Sequence, residues 1–178
     1  MRAVARQVGN IKGPRRAAGW AALVLGLATL VPGAARAALD CSVAATGVAF
    51  GTYDPTLSTP DDSTGTITVT CVYTGPGGAD QTNYTVALST GASGTYAQRQ
   101  MTAGSSRLGY NLFGDAGRSQ VWGNASAGTT IATGSVKVGP GVGNSTRTTT
   151  HTVYGRVPAL QDADTGNYAD SILVTLTF

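Results

Sequence analysis

The residues that most constrain the fold are the last eight, Ser171-Ile172-Leu173-Val174-Thr175-Leu176-Thr177-Phe178. Ile172, Val174, Leu176 and Phe178 fall on one face, and Leu173, Thr175 and Thr177 on the other. A period of two built from Thr and branched residues reads as a β-strand with one buried face. The strand runs to the final residue, where most domains carry a frayed polar tail. Phe178 is large, apolar and at an inward position, so the sequence predicts that something beyond this strand covers it.

The opposite end reads as a targeting segment. Residues 1–16 carry Arg2, Arg6, Lys12, Arg15 and Arg16 and no acid. An apolar run from Ala17 to Val31 follows, then Pro32-Gly33 and the small-x-small pattern Ala35-Arg36-Ala37. This is the layout of a secretory signal peptide with a long basic region, cut between Ala37 and Ala38. The apolar run is shorter than the roughly 20 residues of a membrane-spanning helix. Removing residues 1–37 leaves 38–178 as one domain of 141 residues.

That cut reverses the charge. The leader holds six of the twelve Lys and Arg and none of the nine acids, so residues 38–178 have a net charge of −3. No Lys/Arg cluster remains, which argues against a nucleic-acid partner. The mature part contains no Glu, a single Lys (Lys137), and much Thr and Gly. Poor helix formers and good strand formers predict a mostly β protein. Both cysteines, Cys41 and Cys71, lie in this part, and in an exported chain two cysteines read as one disulfide, with two buried thiols as the alternative. Closing a loop of about 30 residues stabilises by roughly 3–4 kcal/mol on the chain-entropy model.

Along the chain, strands are predicted over Cys41–Phe50, Thr66–Tyr73, Tyr84–Leu88, Arg107–Phe113, Thr130–Val138, Thr148–Val157 and the terminal segment. Cys41 and Cys71 both take inward parity. Between the strands lie a loop through Pro55, Pro60, Asp61 and Asp62, a turn at Gly75-Pro76-Gly77-Gly78, a turn at Asp115-Ala116-Gly117-Arg118 before Val121-Trp122-Gly123, and a Gly-rich loop over 139–144. Seven or eight short strands with no helical period predict an all-β, immunoglobulin-like β-sandwich.

Chemistry-bearing residues are sparse. His151 stands alone among threonines and reads as a strand histidine making local hydrogen bonds. No serine carries a nucleophile motif, so nothing points to catalysis. Asp54, Asp61 and Asp62 match no calcium loop and read as solvated loop acids, as do Asp162 and Asp164. The Gly-rich segments match no phosphate or dinucleotide fingerprint, and no cofactor is expected. Trp122 reads as packing rather than a sugar-stacking platform.

Several blocks resemble the spore coat protein U domain family: Cys41 through Pro55, then Leu108-Gly109-Tyr110-Asn111-Leu112-Phe113 with Asp115 and Arg118, then Val121-Trp122-Gly123, then Gly166-Asn167-Tyr168-Ala169-Asp170 entering the terminal strand. The order of the blocks matches across nearly all of residues 38–178. The family is similar to subunits of archaic chaperone–usher pili. The resemblance implies a sandwich lacking one strand, supplied in trans by donor-strand complementation. It implies a periplasmic chaperone, an outer-membrane usher and sibling pilus subunits as partners. It also implies passage through the periplasm to the cell surface, with a role in attachment or biofilm formation. Ile172, Val174, Leu176 and Phe178 would then line the strand-acceptor groove. Two other readings are a stand-alone secreted module that binds carbohydrate or a surface, and a structural protein of a spore or outer coat.

One departure from the family pattern stands out. Polymerising subunits carry an alternating donor segment of roughly ten residues before the first cysteine, whereas cleavage after Ala37 leaves Ala38, Leu39 and Asp40. Three residues span about 10 Å at most. The expected subunit accepts a strand and donates none, which places it at a fibre tip or outside a fibre. N-terminal sequencing of exported protein is expected to read Ala38-Leu39-Asp40-Cys41. A mature start upstream of about Leu27 leaves a donor segment in place and contradicts the acceptor-only expectation.

Overall fold

The computed structural model describes residues 38–74, 80–138 and 145–178. The leader, the turn at 75–78 and the loop over 139–144 lie outside the described residues. Eight strands follow in order: β1 Ala38–Thr46, β2 Asp61–Thr74, β3 Asp80–Leu88, β4 Arg99–Ala103, β5 Ser106–Phe113, β6 Ala132–Val138, β7 Ser145–Val157 and β8 Val174–Thr177. A single 3-10 turn, Gly91–Ser93, interrupts the β3–β4 connection.

The strands form two sheets, ordered β1-β2-β7-β5-β4 and β6-β3-β8, with antiparallel pairing throughout. Period-two sequence patterns explain why they stack. On β2, Ile67, Val69, Cys71 and Tyr73 are buried, while the intervening threonines face out. Tyr84, Val86 and Leu88 of β3 and Val153 and Val157 of β7 complete the same apolar layer. An immunoglobulin sandwich sets strands A, B, E and D in one sheet and C, F and G in the other. Here β1, β2, β7 and β5 occupy A, B, E and D, while β3 and β8 occupy C and F. Beyond β8, where G belongs, no described strand lies.

Cys41 stands directly opposite Cys71 in the β1–β2 register, and the two form a disulfide with Cα atoms 4.0 Å apart. The bond ties an edge strand to its neighbour and pins their register, since a one-residue slip would turn every inward side chain outward.

Four elements differ from the sequence expectation. The terminal strand, expected over 171–178, is confined to Val174–Thr177, with Ile172 inward but ahead of the ladder and Phe178 past its end. Residues Asp61–Gly65, expected as loop, extend β2 against the end of β7. Asp62 faces Arg156 in that register and accepts from its Nε and Nη2 at 2.7 and 2.8 Å, so an ion pair supports a stretch with little apolar pattern. β4 was not expected at all. It forms a hairpin with β5 through a two-residue turn in which Gly104 takes φ +58°. β1 ends at Thr46, and Val48 and Phe50 then pack inward over Gly155, where an added Cβ would lie 2.6 Å from Val48 Cγ1 and 2.7 Å from Phe50 Cζ.

His151 makes a long-range contact rather than a local one. Its Nε2 lies 2.9 Å from Tyr84 Oη, and its ring stands edge-on to Tyr84 and Trp122. Burial holds the imidazole pKa below its ordinary value. The unfolded chain therefore takes up a proton as pH falls through about 6.5, while the folded chain stays neutral to lower pH. Stability from this group is complete above that pH and declines below it. Denaturant titrations between about pH 7.5 and 5 should show unfolding free energy falling, with a shallower fall in His151→Gln. Equal slopes in the two proteins would refute the assignment.

Candidate functional site

Two edges of the sandwich carry apolar rows that are covered on one side only. β8 pairs with β3 through Leu88↔Val174, Ala87↔Thr175, Val86↔Leu176 and Thr85↔Thr177, and no described strand pairs with its other edge. Directly opposite residues share a face, so Val174 and Leu176 turn inward with the buried Leu88 and Val86. Cover declines along this row. Ile172 and Val174 are 7% and 5% exposed, Leu176 is half-buried, and Phe178 is 51% exposed.

β1 forms the facing edge of the other sheet. Its inward residues Leu39, Val43 and Ala45 lie opposite Tyr73, Val69 and Ile67. The β2 partners are fully buried, whereas the three β1 residues are only partly so. Near the end of β1 and the start of β8, Ala45, Val48, Ile67, Leu88, Ile172 and Val174 surround an apolar hollow. These two strand edges therefore carry apolar residues that are only partly covered, and among the described residues no strand pairs with the outer edge of β8.

A buried polar cluster holds the β8 wall in place. Arg99 is fully buried and donates from Nε and Nη2 to Ser89 O at 3.0 and 2.8 Å, from Nη1 to Asn111 Oδ1 at 2.7 Å, and from Nη2 to Trp122 O at 2.7 Å. Four donated bonds in a planar fork offset much of the cost of burying a guanidinium. Burial still draws its pKa below the usual value. Ser89 in turn donates its N–H to Leu173 O at 3.0 Å, and its Oγ accepts from Leu173 N at 2.9 Å. The arginine thus clamps the carbonyl of the residue to which the start of β8 is tied.

Asp170 anchors the same segment from the other side. Its Oδ1 accepts from Ala92 N at 3.0 Å and Ser171 N at 2.7 Å, and its Oδ2 accepts from Tyr110 Oη at 2.7 Å. Burial, reinforced by that bond to Asp170, raises the Tyr110 pKa, so the phenol stays a donor. Gly91 takes φ +68° over this carboxylate, and a Cβ there would lie 2.1 Å from Asp170 Oδ2.

The Spore Coat Protein U domain family matches residues 28–175. The chain belongs to that family. One solved structure similar to this Spore Coat Protein U domain is the crystal structure of the CsuC-CsuE chaperone-tip adhesion subunit pre-assembly complex from archaic chaperone-usher Csu pili of Acinetobacter baumannii. The match has 22% identity and a TM-score of 0.45, and it covers 79% of this chain and 40% of that one. The domain therefore spans well under two thirds of the solved chain. No curated protein matches the sequence.

Some of the residues that carried the family resemblance belong to the buried cluster. Tyr110, Asn111 and Asp170 supply its polar atoms. Trp122 is 1% exposed and donates Nε1–H to Val86 O at 2.8 Å, a packing role. Gly109 leaves room for Gln161, whose Oε1 accepts from Gly109 N at 2.9 Å. Arg99 escaped the sequence reading because no strand was expected there, although Arg99 and Met101 alternate inward on β4. The acids separate. Asp54 caps its own turn through Thr56, with its pKa lowered by the Thr56 backbone N–H. Asp62 pairs with Arg156 and Arg118, with its pKa lowered chiefly by the Arg156 hydrogen bond. Burial raises the pKa of Asp61. Among the described residues, no group of three acids, histidines or cysteines could hold a metal ion.

Arg99→Met removes the donor from Ser89 O and Trp122 O and one of the two donors to Asn111 Oδ1. Denaturant unfolding should show a loss of about 3 kcal/mol or more. Arg99→Lys should recover only part of it, because one ammonium cannot reproduce the fork.

Proposed function

We propose that this Spore Coat Protein U domain is a strand-accepting subunit of a chaperone–usher pilus, and that a partner's strand completes its sandwich beside β8. The observation that carries the reading is the unpaired β8 edge with its inward row open at Leu176 and Phe178. An extended segment laid there would find backbone hydrogen-bonding groups along β8. It would also find an apolar floor shared with Leu39, Val43 and Ala45 of β1. Main-chain bonds supply affinity in such an addition, and alternating side chains set the register. Each large side chain fully buried contributes about 1.5–3 kcal/mol. Several of them approach the whole net stability of a domain, about 5–15 kcal/mol.

On this reading the chain crosses to the periplasm, where a chaperone lends a strand and protects an edge that would otherwise template aggregation. An outer-membrane usher then exchanges that strand for one from a sibling subunit at the cell surface, where the assembly serves attachment or biofilm formation. Ile172, Val174, Leu176 and Phe178 line the acceptor groove. Leader cleavage after Ala37 would make the subunit an acceptor without a donor segment. Support comes from the register: Ala38, Leu39 and Asp40 already pair with Thr74, Tyr73 and Val72 in the domain's own sheet.

The test is a titration of the oxidised mature protein with a synthetic strand of alternating valine and threonine, about ten residues long. Binding should raise the melting temperature by several degrees and slow amide exchange over Val174–Thr177. Leu176→Asp, which charges the groove floor, should abolish both effects. A mature chain that is already a stable monomer, with β8 amides protected and no response to the peptide, contradicts the proposal.

A further inference from the structure

A second cavity lies beyond Phe50 and shares no lining residue with the groove. The Phe50 and Tyr110 rings meet edge to face at 6.0 Å, with Tyr110 bordering the groove and Phe50 bordering this cavity. Its volume is about 500 Å³, within the roughly 300–1,000 Å³ of small-molecule sites. Parts of two blocks singled out in the sequence, Phe50–Pro55 from Cys41–Pro55 and Gly166–Tyr168 from Gly166–Asp170, converge on it.

The floor is apolar and buried: Met101, Leu108 and Val157. The half-buried rings of Phe50, Tyr53 and Tyr168 also line it. Both tyrosine hydroxyls are engaged by the protein itself. Tyr53 Oη donates to Pro158 O at 2.9 Å and accepts from Gln161 N at 2.8 Å, and Tyr168 Oη donates to Asp164 O at 2.9 Å. What these rings offer a ligand is an apolar surface held in place. The backbone behind Tyr168 is fixed as well, since Ala169 and Thr102 exchange both main-chain hydrogen bonds, at 2.8 and 3.1 Å.

The rim is polar. Asp164 and Asn167 are exposed there. Asp164 Oδ2 accepts from Ser106 Oγ, while Asp164 Oδ1 and the Asn167 carboxamide have no partner among the described residues. No Lys or Arg lines the cavity, so an anionic ligand would meet only a carboxylate. A wholly apolar ligand would strip water from Asp164 and Asn167 without replacing their hydrogen bonds. The ligand that satisfies both halves has an apolar C–H face and a periphery of hydroxyl donors.

We propose that this cavity binds a neutral pyranose, its C–H face against the aromatic walls and its hydroxyls held by Asp164 and Asn167. Such a site would give the subunit a saccharide to attach to, independently of whether its groove receives a strand.

The test is an NMR titration of the isotope-labelled, oxidised mature protein. The probes are the methyl glycosides of glucose, galactose, mannose and N-acetylglucosamine, together with cellobiose and maltose. At least one should give saturable shifts at Tyr53, Asn167 and Tyr168. Asn167→Ala and Asp164→Asn should each weaken that binding about tenfold. Asn167→Ala should melt with the parent protein, because its carboxamide holds nothing in the fold. The proposal is overturned if no glycoside gives saturable shifts, if both variants bind unchanged, or if indole saturates the cavity while the glycosides do not. A protein that binds no glycoside yet is stabilised by the valine–threonine strand loses this site and keeps the groove.

Discussion

The buried guanidinium of Arg99 is the interaction on which the rest of this structure depends. A charge at zero exposure needs acceptors, and here they come from three separate segments: Ser89 after β3, Asn111 on β5 and Trp122 in the following loop. Satisfying one side chain therefore fixes both sheets relative to each other. The bond to Ser89 passes the constraint on, because Ser89 is tied through both its N–H and its hydroxyl to Leu173. Asp170 closes the arrangement by gathering Tyr110, Ala92 and Ser171. The start of β8 is held from two directions, while its far end pairs with β3 alone among the described residues.

Cover along the last strand follows that asymmetry. Ile172 and Val174 sit where the cluster anchors the chain and are buried, whereas Leu176 and Phe178 extend past it and lose cover. β1 is also held firmly along its inner side, by nine paired positions with β2 and by the Cys41–Cys71 bond. A strand edge that carries such a partly covered row can template pairing with another chain.

Much of this was legible in the sequence, and the reasons are specific. Strong alternation, as in Thr66–Tyr73 and Tyr84–Leu88, identifies a strand without help from its neighbours, and the structure has strands at both places. The family resemblance located the residues that matter but not what they do. Asn111 and Trp122 accept from Arg99 while Tyr110 donates to Asp170, and these pairings follow from how the chain packs. β4 was missed because its pattern places a charge at an inward position, which the rule of apolar residues inside rejects. That rule fails where the buried charge is fully hydrogen-bonded. The start of β2 was missed because Asp61 and Asp62 follow a proline, a turn signal overridden by pairing with Arg156 across the sheet.

The sequence by itself indicated the class of fold, the period-two row of the last strand and one disulfide between the two cysteines, because each rests on local periodicity or on the chemistry of an exported chain. Only the tertiary structure decided that β8 lies at a sheet edge among the described residues, how far cover extends along that row, and where the aromatic-walled cavity opens. Those depend on the order of strands in the sheets and on contacts between residues up to about a hundred positions apart, such as Tyr53 with Gln161. Hydrophobic alternation specifies which face of a strand turns inward. It carries no information about which strand lies beside it, because every inward row can bury itself against several others.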